Sequence, residues 1–362
     1  MEHFYVITSI QPKYKYLSGP ALVAVELSKE LTKKGYNCTF FDTYRSSKIK
    51  SLLAYSNIFL KILFTKRATI YIHSQGYVTS LIFCLNQLIR PSHKLIYTMH
   101  GLPLKENTYR DKNKKIPQGV YIQETAFKTL LNLANNVICV SNTQAQHIKD
   151  NYTVKANVSV IYNGITPKKI TLSNQPYCST KKRAVMAGGI SNRKSIIETI
   201  QAFLLYNAKN TTQWTLDIYG EISDSYRVPL VTELCAQSKG LISYHGMLDQ
   251  DSLHQEMSKS DLYIAMSQWD TFNLAALQAM SFGIPCISSK QSGISELISH
   301  NNNGFIVDAE SPELIEDCIE ILRNIESLGE EYKKLQKAAH DIACNNSWTY
   351  VASNYLRLAA RN

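Results

Sequence analysis

Short apolar runs alternate with helix-period segments along the whole chain. This alternation restricts the fold to α/β architecture with parallel sheets, because a helix between two strands returns the chain across a sheet face. The first half predicts strands near Phe4–Ile10, Cys38–Asp42, Thr69–His73, Leu95–Met99, Val137–Val140 and Val158–Ile161. The second half restarts the pattern near Ala184–Ala187, Thr215–Tyr219, Ile242–His245, Leu262–Ala265, Cys286–Ser288 and Gly304–Val307. Two successive doubly wound units account for this better than one long sheet. A length of 362 residues agrees, at about 150 residues per domain. The boundary is expected between Asn163 and Arg183, where turn residues, proline and basic charge mix without periodicity. Residues from Ser347 onward, with Trp348, Val351, Tyr355 and Leu358 at helical spacing, predict a terminal amphipathic helix.

Composition narrows the class. Apolar residues make up 44% and charged residues 19%, so a folded core is expected rather than disorder. The net charge of +10 is polarised: residues 1–170 hold 23 Lys and Arg against 8 Asp and Glu, whereas residues 171–362 hold 16 against 21. The halves thus carry +15 and −5, and the basic half is expected to face an anionic partner. Nucleic acid is not that partner, because the basic residues lack an aromatic-interleaved motif or a reader module. Eight cysteines without a C-x-x-C pair read as reduced and buried, which suits a cytoplasmic protein. The first residues, Met1-Glu2-His3-Phe4-Tyr5-Val6-Ile7, read as a strand and not as a signal peptide. No run reaches the ~18 apolar residues of a spanning helix.

Three strand-to-helix junctions carry candidate chemistry. Ser18-Gly19-Pro20 opens the first helix, and a glycine there lets backbone N–H groups approach a phosphate, although such turns also carry glycine for steric reasons. Gly188-Gly189-Ile190-Ser191-Asn192-Arg193-Lys194 precedes a helix from Ile196. The adjacent cations Arg193 and Lys194 suit a diphosphate, but taken alone they read first as a solvated basic turn. The stretch from Ala265 to Ser288 ends a strand, places Asp270 in a polar loop, and opens a helix near Asn273 whose free N–H groups suit an anion. Asp249-Gln250-Asp251 has an Asp-x-Asp form used for metal binding elsewhere, but its position before a helix makes Asp249 an N-cap. No His/Cys cluster has zinc spacing, and neither metal nor other cofactor is expected.

The Ala265–Ser288 stretch resembles the retaining nucleotide-sugar glycosyltransferases of the GT-B fold, specifically the family 4-like group. That family carries two glutamates seven residues apart, followed by Ala-Met, a Gly-Ile/Thr-Pro turn and a strand; here the positions are Asp270 and Gln278, followed by Ala279-Met280 and Gly283-Ile284-Pro285. The likeness extends in order through Gly19, Tyr97-Thr98-Met99-His100-Gly101, Val140-Ser141, Asn163-Gly164, Arg193-Lys194, Gly220, His245-Gly246-Met247, Glu296 and Asn303-Gly304. It implies two Rossmann-like domains facing across a cleft: an acceptor domain over 1–165, a nucleotide-sugar domain over 166–345, and a helix over 346–362 crossing back to the first domain.

By the same resemblance, His100 and Asp270 face the reacting sugar, and Gly19, Arg193, Lys194, Met247, Phe272, Asn273, Leu274 and Gln278 bind the donor. The departures are specific. Gln278 keeps an acceptor oxygen and loses the charge of glutamate, the family's more usual arginine position holds Gly189, and two loop glycines are replaced by Thr271 and Asn273. The implied activity is sugar transfer from a nucleotide-diphosphate sugar to a glycan or lipid-linked acceptor, with retention and without metal, in cell-surface polysaccharide synthesis. The departures also fit a non-catalytic binding subunit, and the fold also serves sugar-nucleotide epimerases. Residues 47–67 alternate Lys and Arg with aliphatic and aromatic residues, which fits either a core helix with basic ends or a segment at an anionic membrane surface. A second basic segment, Leu104 to Pro117, reads as an acceptor-side loop.

Overall fold

The computed structural model describes residues 2–10, 18–44, 48–73, 77–109, 115–168, 170 and 181–360. The described chain forms two compact units. The first contains β1 (His3–Thr8), α1 (Gly19–Lys33), β2 (Cys38–Asp42), α2 (Lys48–Leu63), β3 (Ala68–Ile72), α3 (Tyr77–Ile89), β4 (Lys94–Met99), the start of α4 (Pro103–Asn107), α5 (Gln118–Leu133), β5 (Asn136–Cys139), α6 (Asn142–Asn151) and β6 (Asn157–Val160). Its sheet has the order β2-β1-β3-β4-β5-β6, with every pairing parallel. All of β3 and β5 is buried, so these strands read as continuous apolar runs and not as alternating ones.

The second unit holds β7 (Lys181–Ala187), α7 (Ile196–Lys209), β8 (Gln213–Tyr219), α8 (Val228–Gln237), β9 (Ile242–Gly246), α9 (Gln250–Ser258), β10 (Leu262–Ala265), α10 (Leu274–Ser281), β11 (Cys286–Ser289), β12 (Phe305–Val307), α11 (Leu314–Ser327) and α12 (Glu331–Asn345). Its order, β12-β11-β10-β7-β8-β9, is the doubly wound arrangement in which the strand sequence reverses between β7 and β10. One face is sealed by Ile200, Phe203, Trp214, Leu216, Ile218 and Leu322, all fully buried, with Phe203 edge-on to Trp214 at 6.3 Å.

The last helix, α13 (Trp348–Ala360), belongs to the first unit and packs on α1. Its buried residues Trp348, Val351, Ala352, Tyr355 and Ala359 share one stripe. Tyr71 donates its hydroxyl to the Tyr355 carbonyl at 3.1 Å, and the Tyr355 and Thr98 hydroxyls lie 3.1 Å apart. Thr349 donates to Glu30 at 2.8 Å. Gly164 is required by this docking, because a Cβ there would lie 2.5 Å from the Trp348 ring.

Every expected strand is present, with ends moved by at most three residues, and Arg183 falls inside β7 instead of the linker. Most of that expected linker, residues 169 and 171–180, lies outside the described residues, as do residues 47 and 110–114 of the two basic segments. The expected loop after Leu104 begins as helix α4, and residues 106–109 group with the second unit. The described cysteines are all free. Among the described residues, no helix is long and apolar enough to cross a membrane.

Candidate active site

The reversal between β7 and β10 leaves a crevice beyond the strand ends, and the loops that follow these two strands meet there. After β7 the chain turns at Gly188 and Gly189, whose N–H groups both donate to the Tyr219 carbonyl, at 2.9 and 2.8 Å. Gly189 has φ +63°, and a Cβ there would stand 1.9 Å from the Glu221 carbonyl oxygen. This backbone therefore has no room for the arginine that the family more usually carries here; Arg193 and Lys194 stand in the next turn.

That turn is the short 3-10 segment Asn192–Lys194, held from outside by Asp224 and Arg227. The Asn192 N–H donates to Asp224 at 2.7 Å, and Arg227 donates to the Asn192 side chain at 2.6 Å. The turn ends at Ser195, fully buried, with φ 51°, an unfavourable conformation for a residue other than glycine. Strain of this kind persists where surrounding contacts over-determine the backbone, and here it sits beside Lys194.

Lys194 donates to the carboxylate of Asp270, and both side chains are largely buried. Arg193 donates to the Trp269 carbonyl at 2.7 Å, and its guanidinium stands 3.9 Å from the same Asp270 oxygen. Burial opposes the charge of Asp270, but the Lys194 ammonium and the Arg193 guanidinium outweigh it and hold the carboxyl below its usual range. The loop backbone is fixed on its other side: Asp270 N–H donates to the Gln291 carbonyl at 3.3 Å, and Gly293 N–H donates to the Asp270 carbonyl at 3.0 Å. The arrangement is a fixed anion carried between two cations. An arriving diphosphate could share those cations without the site having to recruit charge.

The following residues lead into α10. Thr271 and Phe272 are buried, and Asn273 adopts φ 72° and caps the helix by accepting from Ala276 N–H at 3.1 Å. Only Asn273 takes the left-handed conformation, so threonine at 271 costs no backbone strain. Leu274 opens the helix, and Gln278 lies one turn further on, half-buried, with its amide against the His254 ring of α9. Burial, followed by the charge of Lys168, lowers the pKa of His254, and the Gln278 amide works against that shift. Met247 follows Gly246 at the end of β9 and is 39% exposed. The neighbouring His245 turns away to Asp217, at 2.6 Å, and stacks on Tyr219 at 5.0 Å. Asp249 caps α9 through Ser252 N–H at 2.9 Å.

The second unit thus brings Arg193, Lys194 and Asp270 together beyond the ends of β7 and β10, with Phe272, Asn273 and Leu274 leading from Asp270 into α10. Gly19 and His100 belong to the first unit, at the start of α1 and the end of β4. A Cβ at Gly19 would meet nothing within 4 Å, so packing inside the protein does not require glycine there. His100 is paired with His73, a residue that sequence reasoning passed over. His73 Nδ1 and His100 Nε2 lie 3.0 Å apart, the rings stack at 5.3 Å, and Tyr355 stacks on His73 at 6.0 Å. Burial lowers the pKa of His100 to about 3, and burial together with His100 pushes that of His73 well below histidine's usual value. Both rings are therefore neutral near pH 7. A signal for His73 was present, since it follows β3 as His100 follows β4.

Comparison with known proteins agrees with this fold. Residues 172–341 match the family described as "Glycosyl transferases group 1", and residues 17–169 match "Glycosyltransferase Family 4". A Klebsiella pneumoniae protein described as an uncharacterized 41.2 kDa protein in the cps region is 21% identical over 72% of this chain and 72% of its own length. The amylovoran biosynthesis glycosyltransferase AmsK of Erwinia amylovora is 20% identical over 66% of this chain and 57% of its own. The structure of Anabaena HepE with UDP-glucose superposes with a TM-score of 0.74 at 15% identity, covering 99% of this chain and 100% of that one. With both halves matched and both sheets in place, the chain belongs to the group 1, family 4-like glycosyltransferases of the GT-B fold.

Proposed function

We propose that the chain transfers a sugar from a nucleotide-diphosphate sugar to a glycan or lipid-linked acceptor during assembly of a cell-surface polysaccharide. The observation that carries this reading is the Arg193–Lys194–Asp270 cluster at the strand reversal of the second unit. As the sugar departs, negative charge grows on the nucleoside diphosphate, and Lys194 and Arg193 stabilise it in a partly dehydrated site. In this reading two fixed cations take the charge-neutralising role of a divalent metal, so the reaction proceeds without one. Asp270, kept ionised by the same cations, orients the sugar hydroxyls and favours positive charge developing at the anomeric carbon. Retention of configuration follows from the family resemblance.

The supporting relatives include a protein named for amylovoran biosynthesis and a fold neighbour solved with UDP-glucose, which makes UDP-sugars the first donors to test. The test is a donor screen read by release of free nucleoside diphosphate, with and without membrane extract. One donor should turn over, and Arg193→Ala with Lys194→Ala should slow it by about 100-fold or more. Unchanged turnover in that double variant overturns the assignment. Calorimetry distinguishes the inactive-scaffold alternative: binding of no nucleotide sugar in the panel supports it.

A further inference from the structure

Helix α3 buries Phe83 and Cys84, yet it also exposes large apolar residues on its outer side. Its polar residues Thr79 and Asn86 are buried and partnered: Thr79 Oγ1 lies 3.0 Å from the Tyr55 hydroxyl, and Asn86 Oδ1 lies 3.1 Å from His93 Nδ1. On the opposite side, Leu81, Leu85, Leu88 and Ile89 form one stripe at i, i+4, i+7 and i+8, exposed by 55, 49, 65 and 50%. A solvent-facing helix ordinarily shows the reverse pattern. Helix α2 packs beside α3 and exposes Leu60, while Phe64, just past its end, is 78% exposed. Large exposed apolar side chains gathered on two adjacent helices mark an interaction face.

Charge indicates what covers it. Neither α2 nor α3 contains an acidic residue. Lys50 and Lys61 lie on the exposed side of α2, and Arg90 directly follows α3. The one carboxylate of neighbouring α5, Glu124, is buried. A second copy of the chain would bring two cationic rims together. An anionic bilayer accommodates both parts, because leucines enter the headgroup–acyl boundary while cations meet lipid phosphates.

We propose that α2 and α3 form a docking face for an anionic lipid bilayer, with the α3 leucine stripe entering the interface and Lys50, Lys61 and Arg90 binding lipid phosphate groups. This face stands on the first unit alone and does not depend on the donor reaction.

Sedimentation of the full chain with vesicles of phosphatidylglycerol and phosphatidylcholine, against phosphatidylcholine alone, tests it. The protein should bind the anionic vesicles, more weakly as salt rises. Leu85→Ser with Leu88→Ser, and separately Lys61→Glu with Arg90→Glu, should each reduce partitioning by about tenfold or more. These positions are exposed, and an unchanged thermal melt shows that the variants fold. Three outcomes overturn the proposal: no binding of the wild-type chain, equal binding to neutral vesicles, or undiminished binding of the leucine variant. A dimer dissolved by the leucine substitutions also overturns it, and assigns the stripe to a second copy.

Discussion

Lys194 and Asp270 form a buried ion pair across the strand reversal of the second unit, and Asp270 has Arg193 as a second cation 3.9 Å away. Removing one partner of such a pair strands the other charge. Lys194→Ala is expected to cost about 3–5 kcal/mol of stability, besides its effect on turnover, whereas Arg193→Ala leaves Asp270 paired and should cost less. Urea denaturation of the two single variants checks the order.

The same pair fixes an acid response. The folded-state pKa of Asp270 is depressed, so its contribution to stability is fully present above the unfolded carboxylate value, about 3.9, and is lost as pH falls through the lower folded value. In Lys194→Ala the main cation is gone and burial pushes the carboxyl up, so protonation on acidification relieves the stranded charge. The stability deficit of this variant against the wild-type chain, read by urea denaturation, should therefore narrow as pH falls from 7 toward 4. A deficit that stays constant would contradict this.

The histidine pair responds at milder pH. His100 titrates near 3 when folded and near 6.5 when unfolded, so the unfolded chain binds the proton first. Stability is full above about 6.5 and falls progressively toward pH 3, with His73 contributing in the same direction. His73→Gln should flatten the change in urea midpoint between pH 7 and pH 5. Because His100 is neutral throughout this range, its own ionisation should leave no inflection near pH 6–7 in kcat/KM.

The sheets were legible because buried parallel strands are continuous apolar runs, as in Thr69-Ile70-Tyr71-Ile72. The crevice was legible through Lys194 and Asp270, whose positions beyond strands carry meaning in any doubly wound sheet. Three features were hidden because they depend on tertiary packing. Thr271 and Asn273 both replace glycines, and only the fold shows that just one of them needs a left-handed backbone. The pairing of His73 with His100 joins residues 27 apart. The inward turn of the polar side of α3, anchored by Tyr55 and His93, is likewise set by packing.

Gly189→Arg puts arginine at the position the family more usually gives it, and it is expected to destabilise without adding a working cation. The Cβ would overlap the Glu221 carbonyl, and φ +63° is strained for any side chain. Loss of about 3 kcal/mol or more is expected, read as a lower melting temperature with no gain in nucleoside diphosphate release. A stable and faster variant would show that this turn can rearrange.

Gly164→Ala drives a methyl group into the Trp348 ring, 2.5 Å from its nearest atom, and should loosen α13 at a cost of about 1–3 kcal/mol. Trp348→Ala alone removes a large buried ring, for about 3–5 kcal/mol. The two changes share one contact, so the double variant should lose less than the sum, by about 1 kcal/mol or more. Additive losses in urea denaturation would show that the clash relaxes elsewhere.

Gln278→Glu tests the most consequential departure from the family pattern. The glutamine keeps an acceptor and lacks charge, and a charge-assisted bond is roughly twice as strong as a neutral one. If this side chain holds the donor's ribose hydroxyls, glutamate should tighten nucleoside diphosphate binding by about fivefold, equivalent to ~1 kcal/mol. The same carboxylate would stand against the His254 ring, whose pKa is now lowered by burial and by Lys168. An anion there opposes both effects and should raise it, which NMR titration of the ring follows directly. Tighter binding together with a raised His254 pKa is the expected result. A raised pKa with unchanged affinity would place the side chain against α9 and away from the donor.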